Sequence, residues 1–203
     1  MVLKILCLHG YRQNANSFRQ KTGGFRKMLK NHAEFVFIDA PHSVPIGDQN
    51  PEGCDEFKSW WFSEQDPNAF YSKKHSSICI GFEESLKGPF DGLLGFSQGG
   101  AMVALIAALI QQQKFDHKFK FTILFAAFQS ENTAHEKLYT QAIEIPTLFV
   151  IGQSDTVIPK ELSEKLVSCF PYAEIIYHIG GHCVPSSSSN KKQFIDFLNK
   201  FIN

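Results

Sequence analysis

The chain has 203 residues, 43% of them apolar and 13% aromatic, with 20 basic and 20 acidic side chains. That length suits one domain with a sizeable buried core. The balanced charge excludes both the basic footprint of a nucleic-acid binder and the charge excess of a disordered chain. The longest unbroken apolar run, residues 101–110, is far shorter than the roughly 20 residues that span a bilayer, so no stable membrane insertion is expected.

In chain order, residues 3–8, 34–38, 92–96, 121–125, 147–151 and 174–178 read as strands. Most are continuously apolar rather than alternating, the pattern of parallel strands buried on both faces. Helical patterns lie near 17–30, 76–87, 98–112, 160–168 and 191–201. Strand and helix alternate, which predicts an α/β class fold: a doubly wound, mostly parallel sheet of about six strands in a single domain over 1–203. The first ten residues lack a basic leader and read as a strand, so an intracellular protein is expected, cytoplasmic with the nucleus also open. The patch 186–189 is a serine-rich loop before the last helix. One stretch breaks the alternation. Residues 41–75 carry prolines, glycines and mixed charge around Trp60, Trp61, Phe62, Phe70 and Tyr71. Either these rings pack on the core or they line a substrate groove under a cap.

The five cysteines (Cys7, Cys54, Cys79, Cys169 and Cys183) are scattered without a C-x-x-C pair, so neither a disulfide framework nor a metal site is expected. Cys7 and Cys79 read as small buried hydrophobes, and Cys183 beside His182 as a bystander. Gly23-Gly24 and Gly180-Gly181 lack the spacing of a phosphate cradle, and no cofactor is implied.

The strongest local motif is Gly95-Phe96-Ser97-Gln98-Gly99, with a strand running into it and an apolar helix leaving it. That is the setting of a nucleophile elbow, in which a serine sits on a strained strand-to-helix turn. A serine hydroxyl needs a base, and the base needs an acid that fixes its tautomer. On such a scaffold the order is serine, acid, histidine. His117 and His135 lie in polar stretches and read as solvated, and His178 ends the last strand. His182, in the loop Gly180-Gly181-His182, is the better base. For the acid, Asp155 lies four residues past the strand 147–151, in a tight turn at the carboxyl edge. Glu131, after the strand 121–125, is the alternative. The oxyanion donors expected are the backbone N–H groups of Gln98 and of Tyr11, in the loop after the first strand, with His9 shaping that loop.

These residues, together with Leu6-Cys7-Leu8-His9-Gly10-Tyr11-Arg12-Gln13-Asn14, Asp39-Ala40-Pro41-His42 and the turn from Gly152 to Pro159, resemble the FSH-type serine hydrolases, a group of small eukaryotic α/β-hydrolases. The likeness runs from about residue 2 to 200, although the Gly95–Gly100 stretch is shared with acyl-protein thioesterases. The resemblance implies a carboxylic ester hydrolase with Ser97, Asp155 and His182 as its triad. It also implies a preference for fatty-acyl esters, a small-molecule ester being the partner; rings lining a groove would favour medium-to-long acyl or alkyl chains. The readings left open are an acyl thioesterase, a peptidase on the same scaffold, or a non-catalytic binding module.

Overall fold

The computed structural model describes residues 1–44, 56–61 and 88–202. Strand β1 (Leu3–Leu8) leads into helices α1 (Ala15–Lys21) and α2 (Gly23–Leu29), then strand β2 (Ala33–Ile38). Two short strands, β3 (His42–Ser43) and β4 (Lys58–Ser59), pair antiparallel with each other. The chain continues through β5 (Gly92–Phe96), α3 (Gln98–Gln111), β6 (Phe121–Phe125), a 3₁₀ segment (Thr133–Tyr139) and β7 (Thr147–Gly152). It closes with α4 (Lys160–Val167), β8 (Ala173–His178), a 3₁₀ turn (Ser188–Asn190) and α5 (Lys191–Asn199).

Six strands form one sheet in the order β2-β1-β5-β6-β7-β8, every neighbouring pair parallel. Side chains alternate across it. Leu6, Leu8, Leu93, Leu124 and Phe149 pack beneath α3 and α4, whereas Ile5, Cys7, Leu94, Phe121 and Phe125 meet α1, α2 and α5 on the other face. The strand order reverses between β1 and β5. Loops leaving the carboxyl ends on either side of that switch point diverge and open a crevice there, where open α/β sheets bind ligands.

The helix expected over 17–30 is two helices. Thr22 carries the break: its hydroxyl donates back to Phe18 O (2.8 Å), and Gly23-Gly24 follow. Such back-bonding offers the chain an alternative to the helical ladder. The helix expected over 76–87 lies outside the described residues. Among the described residues, no helix is long and apolar enough to cross a membrane.

Candidate active site

Ser97 stands at the junction of β5 and α3 with φ 55° and ψ −120°, a conformation that costs a non-glycine residue energy. The turn is tight because its flanks lack side chains. A Cβ on Gly95 would lie 2.3 Å from Gly99 O, and one on Gly99 would lie 2.3 Å from Leu8 O. Ser97 N–H donates to Phe125 O (2.9 Å), which ties the elbow to β6. Its Oγ is buried and has no hydrogen-bond partner among the described residues. As the first residue of α3, Gln98 has a backbone N–H with no intrahelical acceptor.

The loops after β7 and β8 supply Asp155 and His182. They are stitched together by backbone bonds from Gln153 N–H to His178 O (2.8 Å) and from Ser154 N–H to Gly180 O (3.3 Å). Asp155 Oδ1 accepts from Val157 N–H (2.9 Å) and Ile158 N–H (2.8 Å), which fixes the carboxylate in its own turn. Its other oxygen accepts from His182 Nδ1–H at 2.8 Å. That bond leaves Nε2 as the basic nitrogen of the neutral ring. The Asp155 side chain is 1% exposed and the His182 ring 19%, so the acid is sealed behind an imidazole that reaches the surface. The imidazole lies against Phe96, the residue before Ser97, with ring centroids 4.7 Å apart. Asp155, and not Glu131, holds the histidine.

The other histidines fall into place with two corrections. His178 is buried at the end of β8 and accepts from Gly180 N–H (3.2 Å). His135 is not solvated: it is buried, shares a 2.7 Å hydrogen bond with Ser130 Oγ, and faces Trp61 edge-on at 6.5 Å. Burial pushes its pKa below the ordinary value. His117 is half-buried beside Phe119, centroids 4.4 Å apart, rather than free in solvent. In both cases neighbouring polar residues hid an apolar contact made through the fold.

The loop after β1 is built around His9. Its Nδ1–H donates to Gly10 O (2.7 Å) and its Nε2 accepts from Ala40 N–H (3.0 Å), so both ring nitrogens are committed to backbone. Burial lowers its pKa, and the ring stays neutral as a scaffold. The N–H groups around Tyr11 are also committed: Gly10 to Gln13 Oε1 (3.0 Å), Arg12 to Lys58 O (3.1 Å) and Gln13 to Gly10 O (3.2 Å).

Residues 59–61 form a strap across the carboxyl edge of the sheet, held by contacts that leave no local pattern in the sequence. Gln98 Oε1 accepts from Trp60 N–H (3.0 Å), and Gln98 Nε2 donates to Trp61 O (3.0 Å). The Trp60 indole N–H donates to His9 O (2.7 Å). The strap therefore joins the start of α3 to the loop after β1. This corrects the reading of Trp60 as a groove residue: it has no exposed surface and its indole nitrogen serves the loop. Trp61 is likewise buried in the core above α3. Phe62, Phe70 and Tyr71 lie outside the described residues, as does most of the cap expected over 41–75.

Beside His182 lies a cleft of ≈ 350 Å³, walled by Phe18, Phe96 and Val184 with Lys21 and Cys183 also on its lining. Cys183 is exposed, and partial burial followed by the Asp155 charge raises its pKa, the reverse of an activated thiol.

A parallel sheet with an elbow serine after one strand and an aspartate–histidine pair from the last two strand ends defines an α/β-hydrolase of the serine type. The chain belongs to the FSH1 family: the family model for serine hydrolase (FSH1) matches residues 1–194. It is 45% identical to a Danio rerio protein named Esterase OVCA2, over 98% of this chain and 97% of that one. The Homo sapiens Esterase OVCA2 is 38% identical, over 98% and 96% of the two chains. The chain is accordingly a carboxylesterase-type hydrolase. Its fold resembles Arabidopsis thaliana SOBER1 (TM-score 0.64, 16% identity, all of both chains). It also resembles Zea mays acyl-protein thioesterase 2 (TM-score 0.62, 18% identity, 97% of this chain and 94% of that one).

Proposed function

We propose that Ser97, His182 and Asp155 act as a catalytic triad that hydrolyses carboxylic esters through an acyl-enzyme. The supporting observation is the His182–Asp155 hydrogen bond beside an elbow serine whose buried Oγ has no partner among the described residues. In the first half-reaction His182 Nε2 takes the Ser97 proton as Oγ attacks the ester carbonyl. The developing oxyanion is met by the N–H of Gln98 at the head of α3 and by that of Tyr11. The same histidine then protonates the leaving alcohol. In the second half-reaction it activates water, and the acid departs. None of these steps calls on a cofactor.

The preferred substrates in this reading carry medium-to-long acyl or alkyl chains. The apolar wall of Phe18, Phe96 and Val184 supports it, since each methylene buried there adds up to about 0.8 kcal/mol of binding. A fluorophosphonate probe should label Ser97, and kcat/KM should rise from acetate and ethyl esters into the medium-to-long range. Failure to label refutes the nucleophile, and an acetate optimum refutes the chain preference. Matched oxygen esters and thioesters in the same series separate an esterase from an acyl thioesterase.

A further inference from the structure

We infer that the cleft beside His182 is a subsite for an anionic alcohol arm of the ester, with Lys21 as its specificity-determining residue; this deepens, and rests on, the esterase reading above. Two observations carry it. The first is position. A base that protonates a leaving oxygen must come within hydrogen-bond reach of it, so the arm that departs past His182 is the alcohol. The cleft is lined by that histidine and runs along Phe96 and Phe18 to Lys21, the last residue of α1. Phe18 and Phe96 are themselves stacked, centroids 5.9 Å apart, and make a continuous apolar floor. An alkyl arm laid on that floor brings its far end to the lysine.

The second observation is charge. Residues 1–33 contain seven lysines and arginines and no acid, in a chain whose overall charge is zero. The remainder is therefore as negative as this segment is positive. Arg19, Lys21, Lys27 and Lys30 are exposed on α1, α2 and the residue after it, and none is in an ion pair among the described residues. Among the described residues, none that lines the cleft is an acid. Asp155 lies sealed behind His182, and Asp39 is bound at the opposite end of α1, on Ala15 N–H (2.6 Å). A lysine in the last turn also suits the helix dipole, but that role is indifferent to what enters the cleft. An exposed cation reinforced by its neighbours favours a carboxylate or phosphate a few atoms beyond the ester oxygen.

The test compares octanoate esters of 1-hexanol, 6-hydroxyhexanoate and 6-aminohexanol, with monohexyl suberate placing the anion on the acyl arm instead. The readout is the ratio of kcat/KM for the 6-hydroxyhexanoate ester to that for neutral hexyl octanoate. It should fall about 3- to 10-fold in Lys21→Gln and further in Lys21→Glu, which should favour the ammonium ester instead. About 0.5 M salt should lower the wild-type ratio in the same way. The monohexyl suberate rate should not respond to either substitution. A ratio unchanged in Lys21→Gln, with hexyl octanoate still hydrolysed, overturns the subsite alone. Loss on the suberate ester equal to that on the 6-hydroxyhexanoate ester overturns the assignment of the alcohol arm. Absence of hexyl octanoate hydrolysis in the wild type overturns the esterase reading and the subsite with it.

Discussion

Ser97→Ala should raise stability while it removes activity. The hydroxyl is buried without a hydrogen-bond partner among the described residues, so the folded protein carries the desolvation cost of a group that was paired with water when unfolded. That cost is about 1–3 kcal/mol, and deleting the oxygen recovers most of it without opening a cavity larger than one atom. For a chain of this size each kcal/mol moves Tm by about 2–4 °C, so the expected rise is about 2–12 °C. The backbone strain at φ 55° remains in alanine. Ser97→Gly relieves it, gaining about 1–3 kcal/mol and returning about 0.5–1 kcal/mol to the more flexible unfolded chain, and should melt at or above the alanine variant. Differential scanning calorimetry reads the first effect and ester hydrolysis the second, where losses on the order of a million-fold in kcat are expected. An alanine variant that melts below the wild type, or keeps a tenth of its rate, refutes the reasoning.

Asp155→Asn should lower kcat by about four orders of magnitude, because an amide facing Nδ1 favours the wrong tautomer, whereas Glu131→Gln should change it less than about twofold. Trp60→Phe leaves the His9 carbonyl buried without its indole donor, so thermal melts should show a loss of about 1–3 kcal/mol, accompanied by a fall in kcat rather than a rise in KM. Acidification should destabilise the fold. Burial lowers the pKa of His9, His135 and His178, so below about pH 6.5 the unfolded chain takes up protons that the folded one refuses. Urea midpoints should hold above that pH and drop beneath it, each histidine contributing up to about 1.4 kcal/mol per pH unit; a flat profile down to about pH 5 would contradict this.

What the sequence disclosed follows from the periods that burial imposes. Strands buried on both faces are written as unbroken apolar runs, so β1, β5 and β6 fall on the expected residues and β7 within one; β8, also within one, is an edge strand with Glu174, Ile175 and Tyr177 exposed. The elbow and the acid turn follow such runs and the histidine turn follows the edge strand β8, so Ser97, Asp155 and His182 all come from carboxyl ends of strands. Contacts between distant segments leave no period. Nothing local to Gln98 announces that its carboxamide holds Trp60 and Trp61, 38 and 37 positions earlier. The same holds for His135, whose polar neighbours concealed a buried ring. The break at Thr22 has a local cause, the hydroxyl and the two glycines after it, but the continuing apolar spacing of Phe18, Phe25 and Leu29 masked it.

The strap at 59–61 explains how the long connection from β2 to β5 fits this architecture. Lengthening a connection costs little, since closure entropy grows only with the logarithm of its length. The cost that matters is burying its polar backbone. Here the Trp60 N–H and the Trp61 carbonyl are met by one glutamine side chain, and Lys58 N–H and O are met by Gln13 O and Arg12 N–H. The connection is thereby fastened to the two loops that flank the switch point, and Trp60 places a fully buried ring between them. Tyr11 in the first loop and Gln98 at the head of α3 are the oxyanion donors of the proposed mechanism, so in that proposal their separation matters. A segment inserted far from either loop in sequence thus helps fix the distance between them. Because α3 and β1 are rigid elements of the core, the strap has only the loop conformations left to determine. That is why a single tryptophan and a single glutamine suffice, and why their loss should lower kcat as well as stability.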